Sequence, residues 1–372
     1  MTSVDQLLKT PFHQWHTEHH GRMVDFAGWS MPVQYKSIME EHHQTRKAVG
    51  LFDVSHMGRL FFKGTGIDQF LDSLTTRRVA GVEVGRIRYS LMTNDQGGIL
   101  DDVLVYHLAD STGQPFHMMV VNASNRDKIV HWLKGHIPND SDITVEDRTL
   151  TTAMIAVQGP KANAMVGELC SVAPADLKYY TGTAATISEH PVILSRTGYT
   201  GEDGCELIVE SEVALAVWET LMQNAITLGG GATGLAARDT LRLEAAMPLY
   251  GHELNEETNA AQTDLKFAIN LKDREFIGRE AIVAANKDQD LPIRIGLELQ
   301  GKRAAREDCA IIAEGNQVGT VTSGTFAPTL QKSISMGYID RSFADPGTEL
   351  EIDIRGKRTA AQVVKLPFYT RD

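Results

Sequence analysis

The sequence predicts an α+β protein whose C-terminal part consists of β-strands. Up to residue 246, segments with apolar residues at helical spacing alternate with short apolar-rich strands. After Arg279 the chain changes to short strands separated by glycine-containing turns, which is typical of a compact β-barrel or sandwich. The length of 372 residues predicts two or three domains. We expect a boundary near 275–290, between a region 1–280 and a barrel domain 285–372.

The first part of the chain is expected to combine helices and strands in one unit. Its strongest local signal is a hairpin, in which two apolar-rich runs flank the turn-forming cluster 94–98. A later strand ends at the cluster 122–125, which we interpret as the N-cap of the next helix. The predicted elements are helix 36–49, strands 51–54 and 59–63, helix 66–75, strands 87–93, 99–108 and 116–121, and helix 126–134.

A second unit of the same kind follows. Helical spacing and short apolar runs alternate again, and a run of three glycines at 229–231 separates two of its helices. The predicted elements are strand 152–157, helix 161–170, strands 192–196 and 206–209, and helices 213–226 and 235–246. The chain shows no low-complexity tract and no solenoid repeat.

Charge and composition exclude several classes of partner. Lys and Arg total 36 and Asp and Glu total 48, which gives a formal net charge of −12. This charge repels both nucleic acid and anionic membrane surfaces. No apolar run approaches the roughly 20 residues that a membrane helix needs, and the first ten residues lack a signal-peptide pattern. The three cysteines are too widely spaced for a metal pair or a disulfide framework. We expect a cytoplasmic protein, or an organellar one only if a transit peptide has been removed.

Common cofactor and metal signatures are absent from the sequence. The glycines at 64–66 lack the third glycine of a dinucleotide-binding fingerprint, and there is no phosphate-binding loop and no serine-hydrolase elbow. The histidine pairs at 19–20 and 42–43 are adjacent residues, so their side chains point to different faces of a helix. We therefore expect no metal site.

Two adjacent acids, Asp101 and Asp102, lie inside a predicted apolar strand. Successive side chains of a strand point to opposite faces, so one of the two carboxylates must lie in or near the core. Burial of an unpaired carboxylate is costly, which favours a ligand, a cation partner or a catalytic role. A strand-end acid that accepts hydrogen bonds from backbone amides explains the pattern equally well, and the residues alone leave both possibilities open.

Two further segments contain candidate binding residues. The loop 196–206 joins two strands with three glycines, Tyr199 and three acids, which suits a flat ligand that stacks on the ring and donates to a carboxylate. A glycine-rich hairpin with solvated acids is the alternative. In the helix that follows, Arg238 and Arg242 share one face. Internal ion pairs would explain these charges, and an anion or carbonyl site at Arg238 is the alternative.

Six motifs carry a resemblance to the aminomethyltransferase (T-protein) family of the glycine cleavage system. Their order and spacing match that family from about residue 10 to the segment 364–369, so the resemblance covers nearly the whole chain. Long motifs in one order are a specific signal. They are DVSHMG at 53–58, GGILDD at 97–102, GYTGEDG at 198–204, GLAARDTLRLEA at 234–245, FIGRE at 276–280 and TSGTFAPTL at 322–330.

The resemblance implies a fold, a reaction and partners. The family fold is a three-lobed cloverleaf, in which two intertwined α+β lobes and a C-terminal β-barrel surround a central folate site. The family transfers the methylene carbon from the aminomethylated lipoyl arm of H-protein to tetrahydrofolate, which yields 5,10-methylenetetrahydrofolate and ammonia. Tetrahydrofolate is then the co-substrate and no metal is needed. H-protein is the direct partner, and the P- and L-proteins belong to the same system.

The resemblance also implies roles for individual residues. It assigns Asp101 as the catalytic acid beside the reacting folate nitrogens, so strand alternation would turn Asp102 away from the pocket. Glu206 and Arg238 would bind the pterin head group, because a carboxylate accepts adjacent N–H groups and a guanidinium meets a carbonyl. The remaining implied folate-site residues are Met57, Tyr89, Asn122, Tyr180, Tyr199 and Arg371.

The chain departs from the family pattern at Phe267, where relatives often carry tryptophan. This replacement keeps an aromatic face and loses the indole N–H. Because the chain and H-proteins are both acidic, docking would need a local basic patch. The candidate residues for this patch are Arg22, Lys36, Arg77, Arg78, Arg86 and Arg88.

Two alternative functions remain at this point. A folate-dependent demethylase acting on a small N- or S-methyl compound shares the fold, and the sequence shows no pocket that separates the two reactions. A folate-binding iron–sulfur maintenance protein belongs to the same superfamily but would carry a K-G-C-x-x-G-Q-E run. The equivalent stretch here, 274–280, contains no cysteine, which argues against this second alternative.

Overall fold

A computed structural model describes residues 7–371. Residues 1–6, which belong to the segment where no targeting signal is expected, lie outside the described residues. The described chain forms a two-stranded hairpin, a five-stranded sheet, a six-stranded sheet and a closed six-stranded barrel, with helices on the two larger sheets. This architecture confirms the predicted α+β class.

Helices and strands are mixed up to the last α-helix, and the described residues beyond it form strands and one short 3-10 turn at Arg341–Phe343. In chain order the elements are α1 (His13–Glu18), β1 (Arg22–Phe26), β2 (Trp29–Gln34), α2 (Ile38–Lys47), β3 (Gly50–Asp53), β4 (Gly58–Lys63), α3 (Ile67–Leu74), β5 (Arg86–Thr93), β6 (Ile99–Ala109), β7 (Pro115–Val121), α4 (Arg126–His136), β8 (Thr144–Asp147), β9 (Thr152–Gln158), α5 (Ala162–Leu169), β10 (Gly182–Ile187), β11 (His190–Ser195), β12 (Gly204–Glu210), α6 (Ser211–Thr227), β13 (Gly231–Ala232), α7 (Leu235–Glu244), α8 (Arg279–Ala285), β14 (Ile293–Leu299), β15 (Ala310–Ala313), β16 (Asn316–Ala327), β17 (Lys332–Ile339), β18 (Glu349–Ile354) and β19 (Lys357–Val364).

The helices and strands predicted for the two α+β units are all present, with ends within two residues of the expected ones. Several elements have no counterpart in the prediction, among them β10. Its sequence Gly182–Ile187 is rich in Thr and Ala and has few bulky apolar residues, and it lies at the edge of its sheet. An edge strand of this kind is paired with a strand on one side only, and its sequence then shows a weak hydrophobic pattern.

The two larger sheets are intertwined through the loop 54–57. The five-stranded sheet has the order β5-β6-β7-β4-β8 and the six-stranded sheet has the order β10-β11-β12-β9-β3-β13. Strands β3 and β4 lie in different sheets although only four residues, 54–57, separate them. The chain therefore crosses between the lobes at this loop, as the family resemblance implies.

Three layers of apolar side chains hold the lobes together. Helices α3 and α4 cover the outer face of the five-stranded sheet, and α5 and α6 cover that of the six-stranded sheet. The inner faces of the two sheets contact each other through a core that includes Phe52, Tyr106 and Met154. Because both faces of each sheet are covered, many of the central strands are buried along nearly their whole length.

The C-terminal strands close into a barrel in the order β14-β17-β16-β15-β18-β19, with β19 hydrogen-bonded back to β14. Strand β18 shows the period of two that a barrel requires, because Leu350, Ile352 and Ile354 point inward between more exposed residues. Of the two expected architectures, barrel or sandwich, the structure has the barrel.

One buried carboxylate joins the lobes to the barrel. Glu244, at the end of α7, accepts hydrogen bonds from Arg46 Nη2 at 2.8 Å and from the backbone N–H of Thr329 at 2.8 Å. His42 Nε2 lies 3.2 Å from the same carboxylate. The side chains of Glu244 and Arg46 are 0% and 4% exposed, so this ion pair is shielded from water.

We expect Glu244→Ala to lower the free energy of unfolding by about 3–5 kcal/mol, because it leaves the Arg46 guanidinium charged and only partly compensated in the interior. Chemical denaturation followed by circular dichroism measures this loss. Glu40→Ala is the control, since Glu40 pairs with Lys36 at the surface and should change stability little. An equally small change for both variants would contradict the structural role of Glu244.

Candidate active site

A cavity of about 1350 Å³ lies where the two sheets and the barrel meet. Its volume exceeds the roughly 300–1,000 Å³ that is common for small-molecule sites. Both lobes and the barrel contribute to its wall, and the barrel contributes Arg294, Thr322 and Ser323. The cavity therefore has room for an extended ligand together with part of a second molecule.

Seven of the predicted site residues line this cavity. They come from loop 54–57, from strands β5 and β12, from helix α7 and from loops beside the strands, so sequence-distant segments meet at one place. The residues are Met57, Tyr89, Asn122, Tyr180, Tyr199, Glu206 and Arg238.

The orientation of the acid pair is the reverse of the prediction. Asp102 lines the cavity, whereas Asp101 is 0% exposed and is absent from the cavity wall. Leu104 and Tyr106 share the Asp102 face of β6 and pack between the two sheets, while Val103 and Val105 pack under α3 and α4. The period of two correctly placed the adjacent acids on opposite faces. The same alternation does not show which face of β6 the second lobe covers. The expectation that Asp101 faces the pocket is therefore wrong.

The asparagines after β7 hold both carboxylates. Asn122 Nδ2 donates to Asp101 Oδ1 at 2.8 Å and to Asp102 Oδ1 at 2.7 Å. Asn125 Nδ2 donates to Asp101 Oδ1 at 2.7 Å, and the Tyr89 hydroxyl donates to Asp102 Oδ2 at 3.0 Å. The helix begins at Arg126 with Asn125 at its N-cap position, as predicted, but neither asparagine side chain makes a capping hydrogen bond. The amide groups satisfy buried acceptors instead.

The acid pair carries less negative charge than two free carboxylates. Burial raises the pKa of Asp102, and burial followed by the neighbouring Asp102 charge raises the pKa of Asp101 to about 8. Hydrogen bonds from Asn122 and Asn125 oppose the shift at Asp101 without cancelling it. Burial of two adjacent carboxyl groups therefore favours a state in which the pair holds one proton over the doubly charged state.

A second charged pair lies at another part of the cavity wall. Glu206 is buried and accepts a hydrogen bond from the Thr197 hydroxyl. Burial raises the pKa of Glu206, while Thr197 and the Arg238 charge act in the opposite direction. Arg238 Nη1 has no hydrogen-bond partner among residues 7–371, and its guanidinium carbon lies 4.7 Å from the centre of the Tyr199 ring. Arg238 is half-buried at the cavity wall, so its other guanidinium N–H groups can donate to a ligand.

The neighbouring charges are paired within the protein. Arg242 donates to Asp239 at 2.8 Å and to Glu253 at 2.9 Å, so internal pairing explains Arg242 but not Arg238. In the loop 196–206, Glu202 pairs with Arg46 and Asp203 pairs with Arg196. Of the three acids in that loop, Glu206 is the one at the cavity.

Arg371 lies outside the cavity wall. Its Nη1 is 3.4 Å from Asp203 Oδ1, and its side chain is 43% exposed. The C-terminal tail is fixed by Tyr369, whose backbone N–H donates to Glu244 O at 2.8 Å and whose hydroxyl donates to Glu202 at 2.8 Å. These bonds hold the end of the tail over the loop 196–206, so the structure does not bring Arg371 to the other predicted site residues.

Phe267 lines the cavity and forms part of its rim. Its ring is 52% exposed and stacks on Tyr89 with 5.7 Å between ring centres and 26° between planes. The aromatic face that the sequence predicted is therefore present beside the hydroxyl that holds Asp102. The exposed ring is available to a ligand that passes the rim.

The cavity wall also contains residues that were not predicted from the sequence, in both lobes and in the barrel. The motifs at 53–58 and 322–330 contain His56, Thr322 and Ser323, which line the cavity, so the motifs themselves were the available signal. Among the described residues no group of three His, Cys, Asp or Glu side chains could hold a metal ion. No helix between residues 7 and 371 has both the length and the apolar character needed to cross a membrane.

Comparisons with known proteins point to one family. The GCVT N-terminal domain model matches residues 12–273, and the glycine cleavage T-protein C-terminal barrel domain model matches residues 294–370. The aminomethyltransferase of Chloroherpeton thalassium is 41% identical over 360 residues, which cover 96% of this chain and 98% of the relative. The aminomethyltransferase of Thermotoga petrophila is 41% identical over 364 residues, which cover 98% of this chain and 98% of the relative.

A solved structure agrees with this relationship. The crystal structure of glycine cleavage system aminomethyltransferase T from Bartonella henselae superposes with a TM-score of 0.89 at 30% sequence identity, covering 98% of both chains. Sequence and fold therefore agree over nearly the full length, in both lobes and in the barrel. The chain belongs to the aminomethyltransferase (T-protein) family of the glycine cleavage system.

Proposed function

We propose that this protein transfers the methylene carbon of an aminomethyl group from the lipoyl thiol of H-protein to tetrahydrofolate. The products are 5,10-methylenetetrahydrofolate, ammonia and the dihydrolipoyl carrier. One observation carries the proposal: Asp102 lines the same cavity as Glu206 and Arg238, at a place where the two lobes and the barrel meet. The P- and L-proteins would act in the same system, and the cytoplasmic location stays a prediction.

Glu206 and Arg238 suit the pterin head group. A pterin offers adjacent N–H donors, which a carboxylate accepts in parallel, and a carbonyl, which a guanidinium can meet. Glu206 is buried and Arg238 is half-buried, so a ligand can form hydrogen bonds with charged groups that are poorly solvated in the folded chain. The Tyr199 ring, with the Arg238 guanidinium over one face, adds an aromatic surface beside them.

Asp102 is placed to act on the reacting carbon. When the carbon leaves its sulfur, positive charge develops on the carbon and its nitrogen, and a fixed carboxylate at the cavity wall stabilises that charge. The same carboxylate can accept the proton that a folate nitrogen loses on forming the new bond. Tyr89 and Asn122 fix its position. Asp101 then serves as a positioning residue that shares the proton of the pair.

The basic patch expected for H-protein docking is only partly formed. Lys36 pairs with Glu40, and Arg78 donates to the backbone oxygens of Lys272 and Asp273. Arg86 and Arg88 lie two residues apart on β5 and so share one face, and the charge of Arg77 acts on the pKa of Arg88 together with burial and Arg86. We call Arg77, Arg86 and Arg88 the basic cluster, in which Arg86 also lies 3.7 Å from Glu83.

The basic cluster adjoins the cavity wall. The backbone N–H of Ile87 donates to the oxygen of Tyr180 at 2.9 Å, and Gly182 N–H donates to Gly85 O at 3.0 Å, so β5 is bonded to the segment that contains Tyr180. Tyr180 lines the cavity and Tyr179 beside it is 44% exposed. An acidic carrier that docks here would place its lipoyl arm near the cavity. A transient interface of this kind would suit a carrier that must leave after each turnover.

The reaction itself is tested by incubating the purified protein with aminomethylated H-protein and tetrahydrofolate. We expect stoichiometric 5,10-methylenetetrahydrofolate and ammonia. Formation of methylenetetrahydrofolate from a small N-methyl or S-methyl compound, with no reaction of the H-protein substrate, would instead support the demethylase alternative.

Asp102→Asn should lower kcat at least about 100-fold, because the amide keeps the shape of the side chain and removes its charge. The tetrahydrofolate Kd should change less than about threefold, since Glu206 and Arg238 provide the recognition. Asp101→Asn is the matched variant and should lower kcat less, because Asp101 already holds the shared proton. A larger loss for Asp101→Asn in parallel kinetics would reverse these roles.

Glu206→Gln should weaken tetrahydrofolate binding by about 1–3 kcal/mol, the range for a hydrogen bond to a charged group. Calorimetric titration under anaerobic conditions measures the change. Glu202→Gln is the comparison, because Glu202 lies in the same loop and pairs with Arg46 away from the ligand. A Kd unaffected by Glu206→Gln would remove this residue from the site.

The double charge reversal Arg77→Glu with Arg88→Glu should raise the KM for H-protein about tenfold and leave the tetrahydrofolate Kd unchanged. The KM of the unmodified protein should also rise with salt. Reversal of Lys302 and Arg303, exposed residues on the barrel, provides the control. Salt-independent kinetics, or equal turnover with free aminomethyl-lipoamide, would show that no such docking surface exists.

A further inference from the structure

Arg294 is a buried cation of the cavity wall that the proposed reaction does not use. It lies on β14, is 7% exposed, and belongs to the part of the wall that the barrel forms. The next residues with alternating orientation, Ile295 and Leu297, belong to the barrel core. Strand alternation therefore turns Arg294 to the outer face of the barrel, toward the lobes and the cavity.

The guanidinium of Arg294 has no counter-charge among residues 7–371. Its Nη1 donates to Ala246 O at 3.1 Å and lies 3.7 Å from the Met336 sulfur, and no carboxylate of these residues forms an ion pair with it. Its Nε is buried without a partner, whereas Nη2, which also makes no hydrogen bond to these residues, keeps accessible surface. Because Arg294 lines the cavity, a ligand there can reach Nη2.

The other buried arginines of the described chain are compensated by protein atoms. Arg59 donates to five oxygen atoms and does not line the cavity. A buried charge that lacks such partners is costly, so an exception in a cavity wall points to a partner supplied by a ligand. The remaining four pair with carboxylates, and they are Arg46, Arg196, Arg242 and Arg274.

The barrel side of the cavity carries positive charge for which the described chain supplies no acid. A second cation, Arg306, lines the cavity from the loop after β14, where it is exposed and donates to Gly324 O at 3.3 Å. This wall suits an anion, and a carboxylate matches the geometry of a guanidinium. The cavity acids other than Asp102 and Glu206 lie beside basic groups, Asp239 near Arg242, Asp264 near Lys266 and Glu307 near His252.

Helix α7 sets the distance between Arg294 and the pair formed by Glu206 and Arg238. The cavity follows α7, because Arg238 in its first turn and Ala246 just beyond its last turn both line the wall. Ala246 O is the atom that accepts from Arg294. At a rise of 1.5 Å per residue, the backbone at Arg238 and at Ala246 is about 10 Å apart. A ligand that reaches both places has its anionic group far from the part that meets Glu206.

We propose that Arg294 is a specificity-determining residue, which binds a carboxylate of the glutamyl tail of tetrahydrofolate, with Arg306 as a second cation at the rim. The inference rests on the proposed function, because it takes a pterin as the occupant of the Glu206 and Arg238 end. In tetrahydrofolate the glutamyl carboxylates lie at the opposite end of the molecule from the pterin. The lipoyl arm carries no carboxylate, so it does not fulfil the same requirement.

The test compares tetrahydrofolate with its dimethyl ester, in which methyl esters replace both glutamyl carboxylates. The two molecules share the ring and nearly the same length, so the ratio of their Kd values measures recognition of the carboxylates. We expect the unmodified protein to bind tetrahydrofolate at least about tenfold more tightly than the ester. Calorimetric titration under anaerobic conditions measures both Kd values, and this comparison needs no variant.

Arg294→Met should reduce the ratio to less than about threefold, by weakening tetrahydrofolate binding while the ester Kd changes less than about twofold. Arg306→Ala should lower the ratio by about twofold, because this side chain is exposed and more of its attraction is screened. The exposed position also keeps the question decidable if Arg294→Met does not fold. In that case an unchanged ratio in Arg306→Ala overturns the inference.

Arg341→Ala is the matched control. Arg341 is also an arginine of the barrel and donates to a backbone oxygen, that of Leu291 at 2.9 Å, but it does not line the cavity, so its loss should leave the ratio unchanged. A ratio near one in the unmodified protein, or equal weakening of both ligands by Arg294→Met, would overturn the inference and leave the proposed function intact. The second result would show that Arg294 only anchors the end of α7. Failure of the unmodified protein to bind either ligand would overturn both proposals.

Discussion

The buried carboxylate of Glu244 connects the parts of the molecule that form the cavity. It receives Arg46 from α2 and the backbone N–H of Thr329 from the barrel, and it ends the same helix that carries Arg238. Two rigid lobes and a barrel can enclose a cavity only if their relative positions are fixed. A deeply buried ion pair does this because its geometry is specific, and any displacement leaves a charge without compensation.

The charges at the cavity differ from the other buried charges in one respect. Arg46 and Arg242 are fully engaged with carboxylates of the chain, so they stabilise the fold and offer little to a ligand. Arg238 and Asp102 retain free capacity at the cavity wall. Charged groups at such a wall lower the stability of the ligand-free fold. A ligand that pairs with them gains binding energy, or has a developing charge stabilised during the reaction.

The crossover loop 54–57 and strand β6 show how topology places chemistry. The loop passes from one sheet to the other, which brings His56 and Met57 to the cavity. Strand β6 has one face against the helices and the other against the second sheet, so Asp101 and Asp102 have different environments although they are adjacent in the chain. Asn122 reaches both, which couples the buried carboxyl group to the one at the cavity.

The sequence alone determined most helices and strands of the two α+β units and the β-rich C-terminal part, because hydrophobic periodicity and turn residues are local properties. The family resemblance of its motifs also implied seven residues that meet at the cavity. Tertiary structure decided the rest. Which face of β6 the second lobe covers, whether Asn122 caps a helix or holds carboxylates, and where the tail places Arg371 depend on segments distant in the chain. Periodicity shows that two faces exist, and only packing shows what covers each.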